Sequence, residues 1–285
     1  MEGAEALENF KSEISQFFAK QECREVIGAF TEDGTLVGYV WLAKRGITDL
    51  WEFDPPMWIY DLMVAKDARG QGLGNTLLEK AEDFAKQRRF QSIGLHVFAK
   101  NEQAQRLYLR RGYERRDIHY KLSQSDFSSD HDHHDLVVRS MEDSELEKVK
   151  ILGWESYSAK ISEQVEDCSV ARERYDTYVT NNWFAEKSTI YVILTPENEL
   201  GGFVRVVDQE SPNQSTKYCQ IMEFGSSKGI IGIGKRALSF LEKQAKSKEQ
   251  ALIYAPTNKS EKELVQALVD RSYQEQSIFM FKSLD

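Results

Sequence analysis

Cysteine is scarce: Cys23, Cys168 and Cys219 are far apart, with no CxxC pair and an odd total. That excludes a disulfide framework and a zinc knuckle and leaves three free thiols, expected to be buried. No stretch approaches the roughly 18 apolar residues that a membrane span needs, and Met1-Glu2-Gly3-Ala4-Glu5 lacks a charged-then-apolar leader pattern, so no membrane partner and a cytoplasmic location are expected. Positive charge is in deficit, the formal net being −9. A broad nucleic-acid surface draws on clustered Lys and Arg and is disfavoured, whereas amine-bearing ligands suit an acidic protein. No Gly-Lys-Ser/Thr occurs, which removes a P-loop. With 41% apolar and 11% aromatic residues in 285, the chain has core material for two domains.

Leu7, Phe10, Ile14 and Phe17 recur at helical spacing. Val26 to Phe30 and Leu36 to Ala43 flank Asp33-Gly34, a hairpin signal. Met57 to Val64 reads as a strand, Asn75 to Gln87 as an amphipathic helix, Ser92 to Phe98 as a strand, Glu102 to Arg110 as a short helix and Tyr113 to Leu122 as a closing strand. Residues 123–135 are almost wholly Asp, His and Ser around Phe127, a solvated connection. The expected domains are therefore 1–122, a 123–135 linker and 136–285. His131, His133 and His134 in that linker have metal-ligand chemistry without fixed geometry, so no metal is assigned.

The order then recurs, through a strand at Leu136 to Arg139, helices up to Tyr178, a hairpin around Pro196-Glu197-Asn198, a strand to Phe224, the glycine loop Gly229 to Gly234 and a helix. Gly72 and Gly232, Gly74 and Gly234, and Tyr113 and Tyr273 each lie 160 positions apart (232 − 72, 234 − 74, 273 − 113). Two copies of one fold explain that better than chance.

Arg69-Gly70-Gln71-Gly72-Leu73-Gly74 lies between a strand and a helix. A pyrophosphate needs converging backbone N–H groups and the positive end of a helix, which such a loop supplies. A dinucleotide-binding reading fails because the strand follows a hairpin and no acidic residue closes a second strand.

Together with Asp61-Leu62-Met63-Val64, Asn101, Ala104, Leu107-Tyr108 and Gly112-Tyr113, this loop resembles the GCN5-related N-acetyltransferase (GNAT) family, whose loop pattern is Gln/Arg-x-x-Gly-x-Gly/Ala. The likeness runs from about Val26 to Leu122, with a weaker echo beyond. It implies an α/β fold with a mixed sheet (α+β in arrangement), built as two tandem GNAT-like domains. It also implies acetyl-CoA as cosubstrate, held by Arg69, Gly70, Gln71, Gly72, Leu73, Gly74 and Asn75. Met63 and Val64 would offer backbone groups to the thioester and the pantetheine arm where two strands part. Asn101 would bond the pantetheine and Tyr108 would protonate the leaving thiolate. Asp61 is the nominee for general base, with Glu52 and Tyr60 in reserve; His96 is left out as a packing residue. Trp51, Phe53 and Trp58 could wall an acceptor pocket or simply fill the core.

Aligned by 160, Gly229 replaces Arg69 and Leu268 replaces Tyr108, while Asn258 falls near Asn101. The second half is thus expected to be degenerate. A complete unit of this family begins with a strand and two helices, whereas one helix fits before Val26. Either the chain is truncated at its start, or the second domain or another subunit of a homo-oligomer would cover the open edge. The expected activity is transfer of an acetyl group to a primary amine of a small molecule or protein. The alternative is a non-enzymatic CoA-binding regulatory or scaffold module.

Overall fold

The computed structural model describes residues 23–45, 56–128, 135–161, 168–211, 215–258 and 260–284. The helix expected around Leu7 to Phe17, the residues Trp51, Glu52 and Phe53, and His131 to His134 lie outside them. Two compact units divide the chain: Met1–Arg115 with Phe279–Asp285, and Arg116–Ile278.

In the first unit, β1 (Glu25–Phe30), β2 (Leu36–Lys44) and β3 (Met57–Val64) form an antiparallel meander. Helix α1 (Leu73–Gln87) crosses over to β4 (Ser92–Phe98), which lies parallel to β3, and α2 (Glu102–Arg110) follows. The hairpin turns as Asp33-Gly34 promises: Thr31 N–H donates to Thr35 O at 3.0 Å and Gly34 has φ 84°. Leu77, Leu78, Ala81 and Ala85 form the buried stripe of α1, at helical spacing. Each such leucine contributes about 1.5–3 kcal/mol by leaving water.

The second unit repeats this plan after an added opening. Strand β6 (Val137–Ser140) and helices α3 (Leu146–Ile161) and α4 (Cys168–Asn182) precede the meander of β7 (Ser188–Leu194), β8 (Leu200–Glu210) and β9 (Lys217–Ser226). Helix α5 (Ile233–Ser247), β10 (Leu252–Asn258) and α6 (Lys262–Asp270) complete it. Among the described residues, β6, α3 and α4 have no counterpart in the first unit.

The repeat extends to irregularities that no pattern search sees. Both meanders slip register at matching points, between Ala29/Phe30 and Ile193/Leu194, and again between Trp41/Leu42 and Arg205/Val206. Both hairpins are closed by a threonine hydroxyl that accepts a backbone N–H, Thr31 from Thr35 and Thr195 from Glu199. Asn198 takes positive φ where Gly34 does, as asparagine tolerates.

The closing strand departs from expectation. Strand β5 (Glu114–Ser123) pairs antiparallel with β10, Ser123 opposite Leu252 to Asp117 opposite Asn258, and its Tyr120 and Leu122 belong to the core of the second unit. Conversely Phe279 and Phe281 of β11 (Gln274–Ser283) pack on Trp58 at 5.7 and 5.6 Å, and Lys282 pairs with Glu82 at 2.7 Å, all within the first unit. Each unit is closed by the last strand of the other repeat, so the compact units do not follow the expected 1–122 and 136–285 boundaries. A period-2 pattern assigns a strand's two faces but not its neighbours. The cysteines also divide: Cys219 is buried, as expected, but Cys23 is exposed.

Candidate functional site

The site begins where paired strands part. Strand β3 pairs with β4 over Met57–Ile59 and Ile93–Leu95 only, and both strands continue without pairing each other further. Beyond Ile59 the edge of β3 faces a gap. The slip opposite Trp41/Leu42 leaves Tyr60 without a register partner, which bends the strand at the point of parting.

Antiparallel alternation decides which backbone groups face that gap. Ala65 N–H donates to Val37 O at 2.8 Å, and the register sets Tyr39 opposite Met63 and Gly38 opposite Val64. Met63 therefore shares Ala65's hydrogen-bonded alternation and spends its backbone groups on β2, while those of Leu62 and Val64 point toward the gap. Of the expected pair, Val64 turns its backbone groups to the gap and Met63 turns them to β2. Leu62 shares the orientation of Val64, which is visible only once the register is known.

The connection from β3 to α1 forms the second wall. A short turn at Lys66–Ala68 leads into Gly70 and Gly72, with φ of 80° and 82°, and Gly72 is the N-cap of α1. Nothing lies within 4 Å of a Cβ built on either glycine. They are needed for left-handed backbone, not for want of room, and the space beside them is open to a ligand. The first-turn N–H groups of Leu73 and Gly74 have no intrahelical acceptor, which makes the helix start an anion cradle. Asn75 N–H turns back to Gly72 O at 2.9 Å. Arg69 Nε donates to Val64 O at 3.0 Å and Gln71 Nε2 is 3.4 Å from Asp67 O, so both side chains brace the loop.

Tyr108 lies on α2, buried, its ring 5.9 Å from that of Tyr113. Burial first, and the Asp61 carboxylate second, push its phenol up to about 12. It stays protonated at physiological pH and so has a proton to give. Asp61 is exposed rather than sequestered in the apolar strand, and accepts a hydrogen bond from Tyr39 Oη at 2.5 Å. That bond holds the Tyr39 phenol up to about 12. The structure thus adds Tyr39, 22 residues from Asp61 and diagonal to it across β2 and β3. Asn101 caps α2, its Oδ1 accepting from Ala104 N–H at 3.2 Å, which leaves its amide nitrogen to point elsewhere.

Tyr60 stacks on Trp41 with ring centroids 5.2 Å apart. Trp58 is buried, packs on Phe279 and Phe281 and carries the Arg45 guanidinium at 4.1 Å, a core role. His96 rests against Phe98 and Phe279 at 5.4 and 5.0 Å, and burial holds its imidazole below the usual range. No group of metal-ligating residues occurs among the described residues.

In the second unit the strands part likewise, β9 and β10 pairing only from Tyr218–Leu252 to Gln220–Tyr254. Matching the register slips sets Glu223 at Asp61's place and Arg205 at Trp41's. Glu223 is buried and accepts from Arg205 Nε and Trp183 Nε1, both at 2.6 Å. Leu268, at the place of Tyr108, is fully buried. Asn258 is not Asn101's counterpart: it ends β10 and its amide donates to Asp117 Oδ1 at 2.6 Å, while Glu261 takes the N-cap of α6.

A sheet whose parallel strands part midway, beside a left-handed glycine cradle at a helix start, defines the fold of the acyl-CoA N-acyltransferases. Residues 3–113 match the model of the Acetyltransferase (GNAT) family, and the chain has a mixed α/β fold of two GNAT-like units. It is 26% identical over 180 residues, 62% of this chain and 86% of the other, to a Bacillus subtilis (strain 168) protein named as a candidate acetyltransferase, YjbC. Among solved structures, the GCN5-related N-acetyltransferase of Sphaerobacter thermophilus matches with TM-score 0.52 and 14% identity, over 91% of this chain and 81% of that one. A GCN5-related glucosamine N-acetyltransferase region of a fungal multi-domain GH3 β-N-acetylglucosaminidase matches with TM-score 0.54 and 13% identity, over 94% of this chain and 34% of that one. At such identities the two structures establish the fold alone.

Proposed function

We propose that the first unit transfers the acetyl group of acetyl-CoA to a primary amine by direct attack. The observation that carries the proposal is the glycine cradle, Gly70 and Gly72 left-handed with open space beside them, at a helix start that follows a strand parted from its parallel neighbour beyond Ile59. The cradle at Gly70 to Gly74 would take the pyrophosphate, Arg69 and Gln71 stiffening it, with Asn101 turned to the pantetheine. Asp61 accepts a proton from the incoming ammonium, directly or through water, so that the free amine attacks the thioester carbon. The N–H groups of Leu62 and Val64 face the oxygen on which charge develops, the stabilisation that matters most in acyl transfer. As the tetrahedral intermediate collapses, the C–S bond breaks and Tyr108 gives its proton to the sulfur. The products are an amide and free CoA thiol: the nitrogen releases its second proton to solvent as the amide forms, Asp61 discharges the one it took, and Tyr108 regains one from solvent, a net release of one proton.

The test is thiol release from acetyl-CoA against polyamines, amino acids, aminoglycosides and peptides, run beside Gly72→Glu and Tyr108→Phe. Release with at least one amine class, abolished by Gly72→Glu, is expected. Saturable acetyl-CoA binding with no release across the panel would favour the non-enzymatic CoA-binding module, and binding unaffected by Gly72→Glu would remove the cradle assignment.

A further inference from the structure

The second glycine loop repeats the first in its left-handed N-cap, Gly232 with φ 90°, yet the surroundings differ in three ways. Between Ser226 and Ile233 the connection is two residues shorter than between Val64 and Leu73, six intervening positions (227–232) against eight (65–72). Gly234 N–H, in the first turn of α5, donates to Glu263 Oε1 at 3.1 Å, a carboxylate carried by α6. The approach of α6 to this helix start is shared: a Cβ at Gly234 would stand 3.0 Å from Ala267 Cβ, as one at Gly74 would stand 3.3 Å from Leu107 Cδ2 of α2. At the place of Asn101, Glu261 pairs with Lys160 of α3 at 2.7 Å with both side chains buried.

A helix start attracts anions because its N–H groups lack acceptors and carry the positive end of the dipole. In the first unit the residue matching Glu263 is Gln103, which carries no charge to compete for those groups. In the second the chain supplies the anion itself. We infer that Glu263 stands where a coenzyme phosphate would, and that with Lys160–Glu261 it seals the second cleft, so that one chain takes one CoA. The stoichiometry rests on the proposed function of the first loop; the seal rests on the second unit alone.

The experiment is isothermal titration of the full-length chain with CoA and, separately, with inorganic pyrophosphate. Wild type is expected to bind one equivalent of CoA, and Gly72→Glu none. Adding Glu263→Ala to Gly72→Glu is expected to strengthen pyrophosphate binding at least tenfold over Gly72→Glu alone. Glu263→Gln in that background, which keeps the shape but drops the charge, should give a smaller gain and serves if the alanine variant fails to fold. Two equivalents in wild type, one equivalent surviving Gly72→Glu, or no gain in either Glu263 variant would overturn the inference. No CoA binding by wild type together with the pyrophosphate gain would sink the acetyl-CoA reading and leave the seal standing.

Discussion

Asp61 and Glu223 occupy the same bulged position of two strands built alike, and they have opposite fates. Asp61 is exposed, held by one tyrosine, and its charge reaches the Tyr108 phenol. Glu223 is buried under α3 and α4 and neutralised by Arg205, with Trp183 donating a further hydrogen bond. The register slips and the parting of the strands survive in both units, so these backbone features belong to the fold and persist without the chemistry. What separates a reactive cleft from a structural one is the handful of side chains lining it.

The comparison can be broken most forcefully at Tyr108 and Leu268. Tyr108→Phe should lower kcat by about 100- to 1,000-fold with little change in KM for acetyl-CoA, because the proton is delivered only as the thiolate leaves. Leu268→Tyr should leave the rate unchanged, since Glu223 and Glu263 keep the second cleft from reacting. The pH dependence follows in sign: a phenol raised to about 12 keeps its proton as pH rises, so Tyr108 should impose no fall in kcat below about pH 11. Steady-state thiol release across pH measures both; an alkaline limb below that value which disappears in Tyr108→Phe would show the phenol titrating below the value its burial sets, and an unchanged kcat in Tyr108→Phe would remove the tyrosine from the role of acid.

Much of this was legible in the residues. The hairpin at Asp33-Gly34, the amphipathic α1 and the loop between them announce themselves through composition and period, and Gly72 and Gly232 mark the duplication. What stayed hidden depends on register and neighbourhood. The 160-residue offset holds for the helices, but β3 to β9 is offset by 162, because the bulged positions match as Asp61 and Glu223 and the following connection is shorter. Tyr39 reaches Asp61 diagonally across a strand pair, and Val64 rather than Met63 faces the gap because of a hydrogen-bond alternation that no residue type signals. The exchange of β5 and β11 between units is equally silent, since Tyr120 and Leu122 would suit the core of either.

A smaller effect separates the two acidic residues. Glu223→Gln leaves the Arg205 guanidinium buried beside a neutral amide and should cost about 3 kcal/mol. Asp61→Asn, exposed and losing one hydrogen bond, should cost at most about 1 kcal/mol while depressing amine turnover. Urea unfolding of each variant beside wild type decides it. Equal destabilisation by the two changes would mean that Asp61 is as structural as Glu223.

The finest distinction lies in the glycines. Gly72 and Gly232 have φ of 82° and 90° as N-caps of α1 and α5, a conformation that costs a residue with a Cβ about 1–2 kcal/mol. No atom lies within 4 Å of a Cβ at Gly72, so the penalty there is backbone strain without a clash. Gly72→Ala and Gly232→Ala should therefore lower stability by similar small amounts in urea. Function should not divide so evenly, because the methyl at Gly72 enters the space a pyrophosphate would fill, whereas in α5 the Gly234 N–H already donates to Glu263. KM for acetyl-CoA should rise several-fold in Gly72→Ala and stay at the wild-type value in Gly232→Ala. A rise in both would show that the second loop senses the coenzyme after all, and with it the contrast between the two clefts would be lost.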